Sequence, residues 1–263
     1  MSSHLRRAAS VILVRPGDGA GLEIFLLRRT AASAFVPNAF VFPGGAVDPD
    51  DAAEGTLALV DGLSVERMEA QFRATNSQAL PANVERPSAN ERAALFVAAL
   101  RELFEEAGIL FSNGTHSALA SARAALREGS LTFAGVLQRA SVRADAAALT
   151  LFSHWVTPES ELATRRYDAY FFLARAPDDQ DAAADAQETH DGIWIAPAQA
   201  LVRAGEGGLH LVYPTIKHLE RLAAFNDIDA LFAYAQDKSI VTIMPLVASG
   251  TVFALPPELE NAW

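Results

Sequence analysis

Apolar and polar positions divide this chain into elements before any single residue stands out. Residues 9–15 and 22–29 are aliphatic or β-branched runs, and Pro16-Gly17-Asp18-Gly19-Ala20-Gly21 between them is turn-forming, which predicts a β-hairpin. Phe40-Val41-Phe42 reads as a short strand stopped by Pro43-Gly44-Gly45. From residue 46 to 88 the pattern loosens, with a short helix predicted over 65–74. Apolar positions at Ala94, Leu95, Val97, Ala98, Leu100 and Leu103 then mark a long helix. Asn90 is its expected cap, Glu91 lies in its first turn, and Gly108 is placed to end it. Further helices are predicted at 117–127, 132–139, 197–203, 214–225 and 227–236, and strands at 150–156, 167–174 and 192–196. The tail from 240 to 255 is β-like with breaks at Pro245 and Gly250, and the acidic, Ala-rich stretch 178–186 reads as a solvated loop. Strands and helices interleave without regular βαβ alternation, so the expected fold is α/β (α+β) with a mixed sheet and helices outside.

Composition narrows the class. Half of the 263 residues are apolar and mean hydropathy is +0.14, enough for a sizeable core. No apolar run approaches the roughly 18–20 residues of a membrane span, and no signal core follows Arg6-Arg7, so a soluble cytoplasmic protein is expected, without a membrane partner. The absence of cysteine excludes thiol catalysis and Cys-rich metal sites. A net charge of -11 argues against nucleic-acid binding. An acidic protein can still hold a phosphorylated substrate if metal ions neutralise its carboxylates locally.

The chemistry concentrates in Arg101-Glu102-Leu103-Phe104-Glu105-Glu106-Ala107-Gly108-Ile109, at the end of the long helix. At about 100° per residue, Glu105 and Glu106 fall within roughly 60° of Glu102. Three carboxylates crowded on one side repel each other unless a cation joins them, and they sit near a helix C-terminus, where the macrodipole disfavours acid. Hard divalent ions such as Mg²⁺ or Mn²⁺ take such oxygen ligands and leave positions open for water and phosphate.

This block, with the separate Phe42-Pro43-Gly44-Gly45 turn before it, resembles the Nudix signature G-x5-E-x7-R-E-U-x-E-E-x-G-U, where U is aliphatic. Every specified place from Arg101 to Ile109 matches, and Gly45 stands as the opening glycine. Two features depart from the signature. Asp51 stands where the family has Glu, and about forty extra residues separate it from Arg101, an insertion over about 52–90. Such an interruption resembles the coenzyme A diphosphatase-like subgroup, as do Phe42-Pro43-Gly44-Gly45-Ala46-Val47-Asp48-Pro49, the run from Arg166-Tyr167-Asp168 to Ala174, and Trp194 to Pro197.

The resemblance implies one Nudix domain over residues 1–263, an α/β/α sandwich with a helical insertion in the box and a C-terminal helical extension over about 205–263. It implies Glu102, Glu105 and Glu106 as ligands of Mg²⁺ or Mn²⁺, with a carbonyl contributed near Gly45, and Arg101 as the residue orienting those carboxylates. Glu188 is the expected general base, with His190 a weaker rival. Arg28 and Arg29 are candidates for substrate phosphates alongside Gly44 and Gly45, and Arg165 and Arg166 raise the same idea. Phe35 and Phe40 fit a base pocket less well than core packing. Asp48 and Asp51 either assist the metal or serve an Asp-Pro turn. The implied reaction is hydrolysis of a phosphoanhydride in a nucleoside diphosphate-linked small molecule, foremost coenzyme A or acyl-coenzyme A. ADP-ribose, dinucleotide polyphosphates and nucleoside triphosphates are the alternatives, and a non-catalytic nucleotide-sensing module is a different class. The resemblance also admits a homodimer.

Overall fold

The computed structural model describes residues 5–17, 21–31, 36–73, 84–114, 119–159, 165–184, 189–248, 252–260 and 263. The hairpin forms as its sequence predicts, from β1 (Leu5–Pro16) and β2 (Leu22–Arg29), with Val14 opposite Ile24. The short strand β3 (Phe40–Val41) pairs with β2, and β4 (Gly44–Ala46) folds onto β1 with Gly45 opposite Ala9. The inserted segment holds α1 (Glu54–Leu57), β5 (Val60–Asp61) and α2 (Val65–Gln71), and leads into α3 (Ala89–Ala107). There follow α4 (Leu119–Arg127), α5 (Phe133–Ala140), β6 (Ala144–Asp145), β7 (Thr150–Val156), β8 (Arg166–Arg175) and β9 (Thr189–Ile195). The C-terminal part contributes α6 (Pro197–Gly205), α7 (Tyr213–Leu222), α8 (Ile228–Asp237), β10 (Thr242–Ile243), β11 (Leu246–Ala248) and β12 (Val252–Ala254). No helix of the described residues is long and apolar enough to cross a membrane.

The main sheet runs β10-β7-β8-β1-β2-β3, with β4 added on β1 and β9 on β2. It is mixed: β1 with β8 and β7 with β10 are parallel, the remaining pairs antiparallel. Because side chains alternate across a strand, β1 sends Val11 and Leu13 to one face and Ile12 and Val14 to the other. All four are fully buried, which is why this strand reads as a continuous apolar run rather than an alternating one. One face packs against α3, α4, α5 and Met68 of α2; the other packs against α7 and α8. The α/β/α layering is thus present.

The cap of α3 differs from the sequence reading. Ser88, not Asn90, is the N-cap, its hydroxyl accepting from Glu91 N while the Glu91 carboxylate accepts from Ser88 N. This reciprocal pair satisfies two terminal donors at once, whereas Asn90 inside the first turn satisfies neither. The other end matches expectation: Gly108 closes the helix at φ 76°, a left-handed conformation natural to glycine. On the second edge, β9 starts three residues earlier than predicted and carries a bulge opposite Leu26 and Arg28, with Asp191 at φ 49°. Arg67 stitches α2 to the body, donating to the carbonyls of Gly62, Ala146 and Leu149, so this part of the loosely patterned segment is held in place.

Candidate active site

The site is built where α3 lies beside the Gly44–Ala46 strand. Helix periodicity puts Leu100, Leu103, Phe104 and Ala107 into the core and turns Arg101, Glu102, Glu105 and Glu106 towards β4 and the turn after it. Arg101 organises the group. Its Nε and Nη2 donate to the two oxygens of Asp51 at 2.8 and 2.9 Å, Nη1 donates to Glu102 at 2.8 Å and to Glu105 at 3.3 Å, and Nη2 also reaches the Ala46 carbonyl at 3.0 Å. Burial opposes the charge on Arg101, but the hydrogen bond to Asp51 and the fields of Glu102, Asp51 and Glu105 outweigh it. The guanidinium is held cationic well above its ordinary value.

Asp51 is the departure from the signature that the structure explains. It lies in a 3₁₀ turn (Pro49–Ala52) capped by Asp48, is 1 % exposed, and also accepts from the backbone N of Asp48 at 2.8 Å. The turn brings the shorter carboxylate within bidentate reach of Arg101, so Asp51 holds the arginine and Asp48 serves the turn. Asp48 thus has the turn role expected of the Asp-Pro pair, whereas the pairing of Asp51 with Arg101 is not foreseen from the sequence.

The glycines are a steric requirement of this arrangement. A Cβ on Gly45 would stand 2.6 Å from Glu102 Cδ, and one on Gly44 would meet Ser10 Cα at 2.6 Å. Gly44 N donates to Glu106 Oε2 at 2.8 Å. The two-glycine strand therefore approaches the helix closely, bringing the Gly44 amide to Glu106 and the Ala46 carbonyl to Arg101.

Hard oxygen donors at the edge of a Gly-Gly strand fit a divalent cation by donor type and place. Among the described residues no three acidic or imidazole side chains already converge as a cage. Glu102 and Glu105 lean on Arg101 while Glu106 leans on Gly44 N, so a bound ion would draw the glutamates from these protein donors.

The other candidates separate. Arg28 pairs with exposed Asp191 at 3.4 Å, and Arg29 donates its backbone N to the Ala39 carbonyl, which places both at the C-terminal end of β2. Arg165 is exposed, whereas Arg166 is buried and spent on Thr157 O and Glu159, which removes it as a phosphate ligand. Phe40 is core. Glu188 and Phe35 lie outside the described residues, as does the side chain of His190.

Sequence reasoning missed a clasp at the C-terminal end of α3. Arg123 of α4 donates to the carbonyls of Glu105 and Ala183, Ala183 N donates to Ala107 O, and Gln180 exchanges two hydrogen bonds with the backbone of Leu110. The stretch read as a solvated loop is thus docked, up to residue 184, on the helix end that carries the glutamates. Its acidic, Ala-rich composition carries no such signal, because the bonds are made by backbone, by the single Gln180 side chain and by a distant arginine.

A mixed sheet between helical layers, with a carboxylate-bearing helix closed onto a Gly-Gly strand, is the architecture of a Nudix hydrolase. Comparison with known proteins makes this specific: the family profile of the NUDT19 Nudix domain matches residues 5–222, and the chain belongs to that family. It is 29 % identical over 90 % of its length to the acyl-coenzyme A diphosphatase NUDT19 of Gallus gallus, covering 73 % of that protein. To the Homo sapiens protein of the same name it is 28 % identical over 97 % of the chain and 80 % of the relative. A NUDIX hydrolase from Alicyclobacillus acidocaldarius superimposes with a TM-score of 0.71 and 26 % identity, over 92 % of this chain and all of that one. The protein is therefore a diphosphate-cleaving Nudix hydrolase, of a family whose members generally need divalent metal ions.

Proposed function

We propose that this enzyme hydrolyses the diphosphate bond of coenzyme A or an acyl-coenzyme A, giving 3′,5′-ADP and a phosphopantetheine product. The supporting observation is the carboxylate group organised by Arg101 against Gly44–Gly45, in a chain resembling the acyl-coenzyme A diphosphatases over most of its length. Glu102, Glu105 and Glu106, with the Gly45 carbonyl, would hold Mg²⁺ or Mn²⁺, which when bound neutralises charge on the diphosphate and lowers the pKa of water.

The chain's own residues do the rest. Arg101 and Asp51 fix where the glutamates start from, so a bound ion has only to turn carboxylates already held side by side on one helix face. Glu188 is assigned as general base, taking a proton from water as oxygen adds to one phosphorus and the bridging P–O bond breaks. Arg28 and Arg29, beside β3, are assigned to the substrate phosphates. The chain acts as a single domain in the cytoplasm.

The test is a substrate panel on purified protein with Mg²⁺ or Mn²⁺, products identified by mass. Release of 3′,5′-ADP from coenzyme A and acyl-coenzyme A is expected, with loss of two to three orders of magnitude in kcat for Glu105→Gln or Glu106→Gln. Inertness towards both, with turnover of ADP-ribose, dinucleotide polyphosphates or nucleoside triphosphates, would move the substrate assignment. No hydrolysis of any of them, with ligand binding indifferent to both changes, would mark a nucleotide sensor.

A further inference from the structure

A second cavity lies apart from the carboxylates. It encloses about 270 Å³ and is walled by α2 and the end of the insertion (Phe72, with Glu69, Glu85 and Arg86 of mixed charge), by Arg92 of α3, by His154 and Tyr170 of the sheet, and by Thr242 of β10. The pairing register measures its separation from the candidate active site. Gly45 faces Ala9, Ala9 faces Tyr170, and Tyr170 faces His154 on successive strands. At about 4.8 Å per strand, Gly45 and His154 stand roughly 14 Å apart, and ten residues of α3 put Arg92 roughly 15 Å along the helix from Glu102.

Its walls are rigid. His154 stacks flat on Tyr170, with ring centroids 4.1 Å apart and planes 9° from parallel. One His154 nitrogen meets Thr242 Oγ1 at 3.0 Å and the other is hydrogen-bonded to buried Asp168, which also faces Arg7. Phe72 packs on Tyr170 with centroids 5.5 Å apart, and its place is set by Gln71, which bonds Leu149 O and Leu151 N. Arg92 donates through Nε to Pro87 O and lies 5.9 Å from the Phe72 ring, so its guanidinium is oriented over the aromatic wall.

We propose that this cavity is a separate binding site for a mononucleotide-sized ligand, a flat ring joined to an anionic group. Half-buried Phe72 offers a stacking face for the ring, Tyr170 and His154 being nearly covered behind it, and the Arg92 side chain offers charge-assisted hydrogen bonds to the anion. Size decides against a larger occupant. Pockets for drug-sized ligands run about 300–1,000 Å³, so a cavity below that range takes one base with its sugar phosphate and not a dinucleotide. The site does not depend on the phosphoanhydride chemistry.

The experiment uses AMP as the probe, titrated calorimetrically into the full chain in EDTA, with adenosine and ribose 5-phosphate as the two halves. Saturable AMP binding is expected, with each half at least tenfold weaker. Arg92→Met is expected to weaken AMP and ribose 5-phosphate about tenfold and leave adenosine unchanged, while Phe72→Leu weakens AMP and adenosine. Glu105→Gln is expected to leave AMP binding intact, which separates this site from the proposed active site. Absence of saturable AMP binding to the unaltered chain up to ~10 mM overturns the proposal. So does binding that Arg92→Met and Phe72→Leu spare while Glu105→Gln abolishes it.

Discussion

Asp51→Asn tests the reading that a single buried arginine holds the carboxylates together. The side chain of Asp51 is 1 % exposed and that of Arg101 12 %, so the pair is shielded from bulk water. Removing one partner of a buried ion pair destabilises by about 3–5 kcal/mol, because the remaining charge stays buried. Here Arg101 keeps Glu102, Glu105 and the Ala46 carbonyl, which places the change near the lower end, about 3 kcal/mol. Asparagine offers one acceptor where two were used and turns an amide N–H₂ towards a guanidinium or the Asp48 N–H, so shape alone cannot rescue the contact. For a chain of this size the expected fall in Tm is roughly 6–12 °C. Thermal and urea unfolding in EDTA read it without interference from metal binding, with exposed Asp50→Asn as an inert control. A double-mutant cycle with Arg101→Met should return a coupling of about 2 kcal/mol. Loss below about 0.5 kcal/mol for Asp51→Asn, or strict additivity with Arg101→Met, refutes the arginine-centred account.

Three further outcomes follow from particular contacts. Gly45→Ala should cut kcat by at least tenfold with little change in Tm, since the added Cβ displaces the Glu102 carboxylate and not the core; steady-state kinetics beside a melting curve separates the two. Gly108→Ala should lower stability by about 1–2 kcal/mol, because alanine is strained at φ 76° and its Cβ meets Arg123 at 2.7 Å; an undiminished Cm in urea would contradict it. Lys238 lies among Phe152, Tyr234 and Trp263, and burial, aided by Arg221, pushes it down to about 7. Between pH 7 and its ordinary 10.5 the unfolded chain then binds more protons than the folded one, so stability rises with pH across that window. Its penalty is complete below pH 7, partly offset by cation–π attraction to the rings. Lys238→Met should accordingly raise stability by about 1–3 kcal/mol at pH 6 and by progressively less towards pH 10, measured by urea unfolding at several pH values.

The parts of this molecule that could be read in advance share one property: the signal and the structure it specifies lie close together in the chain. Thr132 and Asp227 cap α5 and α8 beside the apolar patterns that announce them, and Gly108 ends α3 in place. The Glu102, Glu105 and Glu106 spacing fixes a common helix side from sequence alone. What was illegible is long-range. Nothing near Asp51 says that its partner is fifty residues away, and nothing near Arg123 says that it will clasp Glu105 O and Ala183 O. The insertion hid its order because its strongest ties, from Arg67 to Ala146 and Leu149, run to residues about eighty positions later.

The same distinction explains why an insertion in the middle of the signature leaves the site intact. The signature's helical half occupies only the last turns of α3, while Ala93 to Leu100, ahead of it, are all at most 5 % exposed. Those residues lock the helix to the sheet over two turns before the first catalytic candidate appears, so its register does not depend on how the preceding forty residues are arranged. The Gly44–Ala46 side is fixed separately, by pairing with β1. Only Asp51, at the near end of the insertion, has to be carried to Arg101, and the capped 3₁₀ turn does that before the chain diverges. Extra sequence placed after Asp51 and before Ser88 therefore lengthens a connection whose two ends are already anchored, where added length costs little.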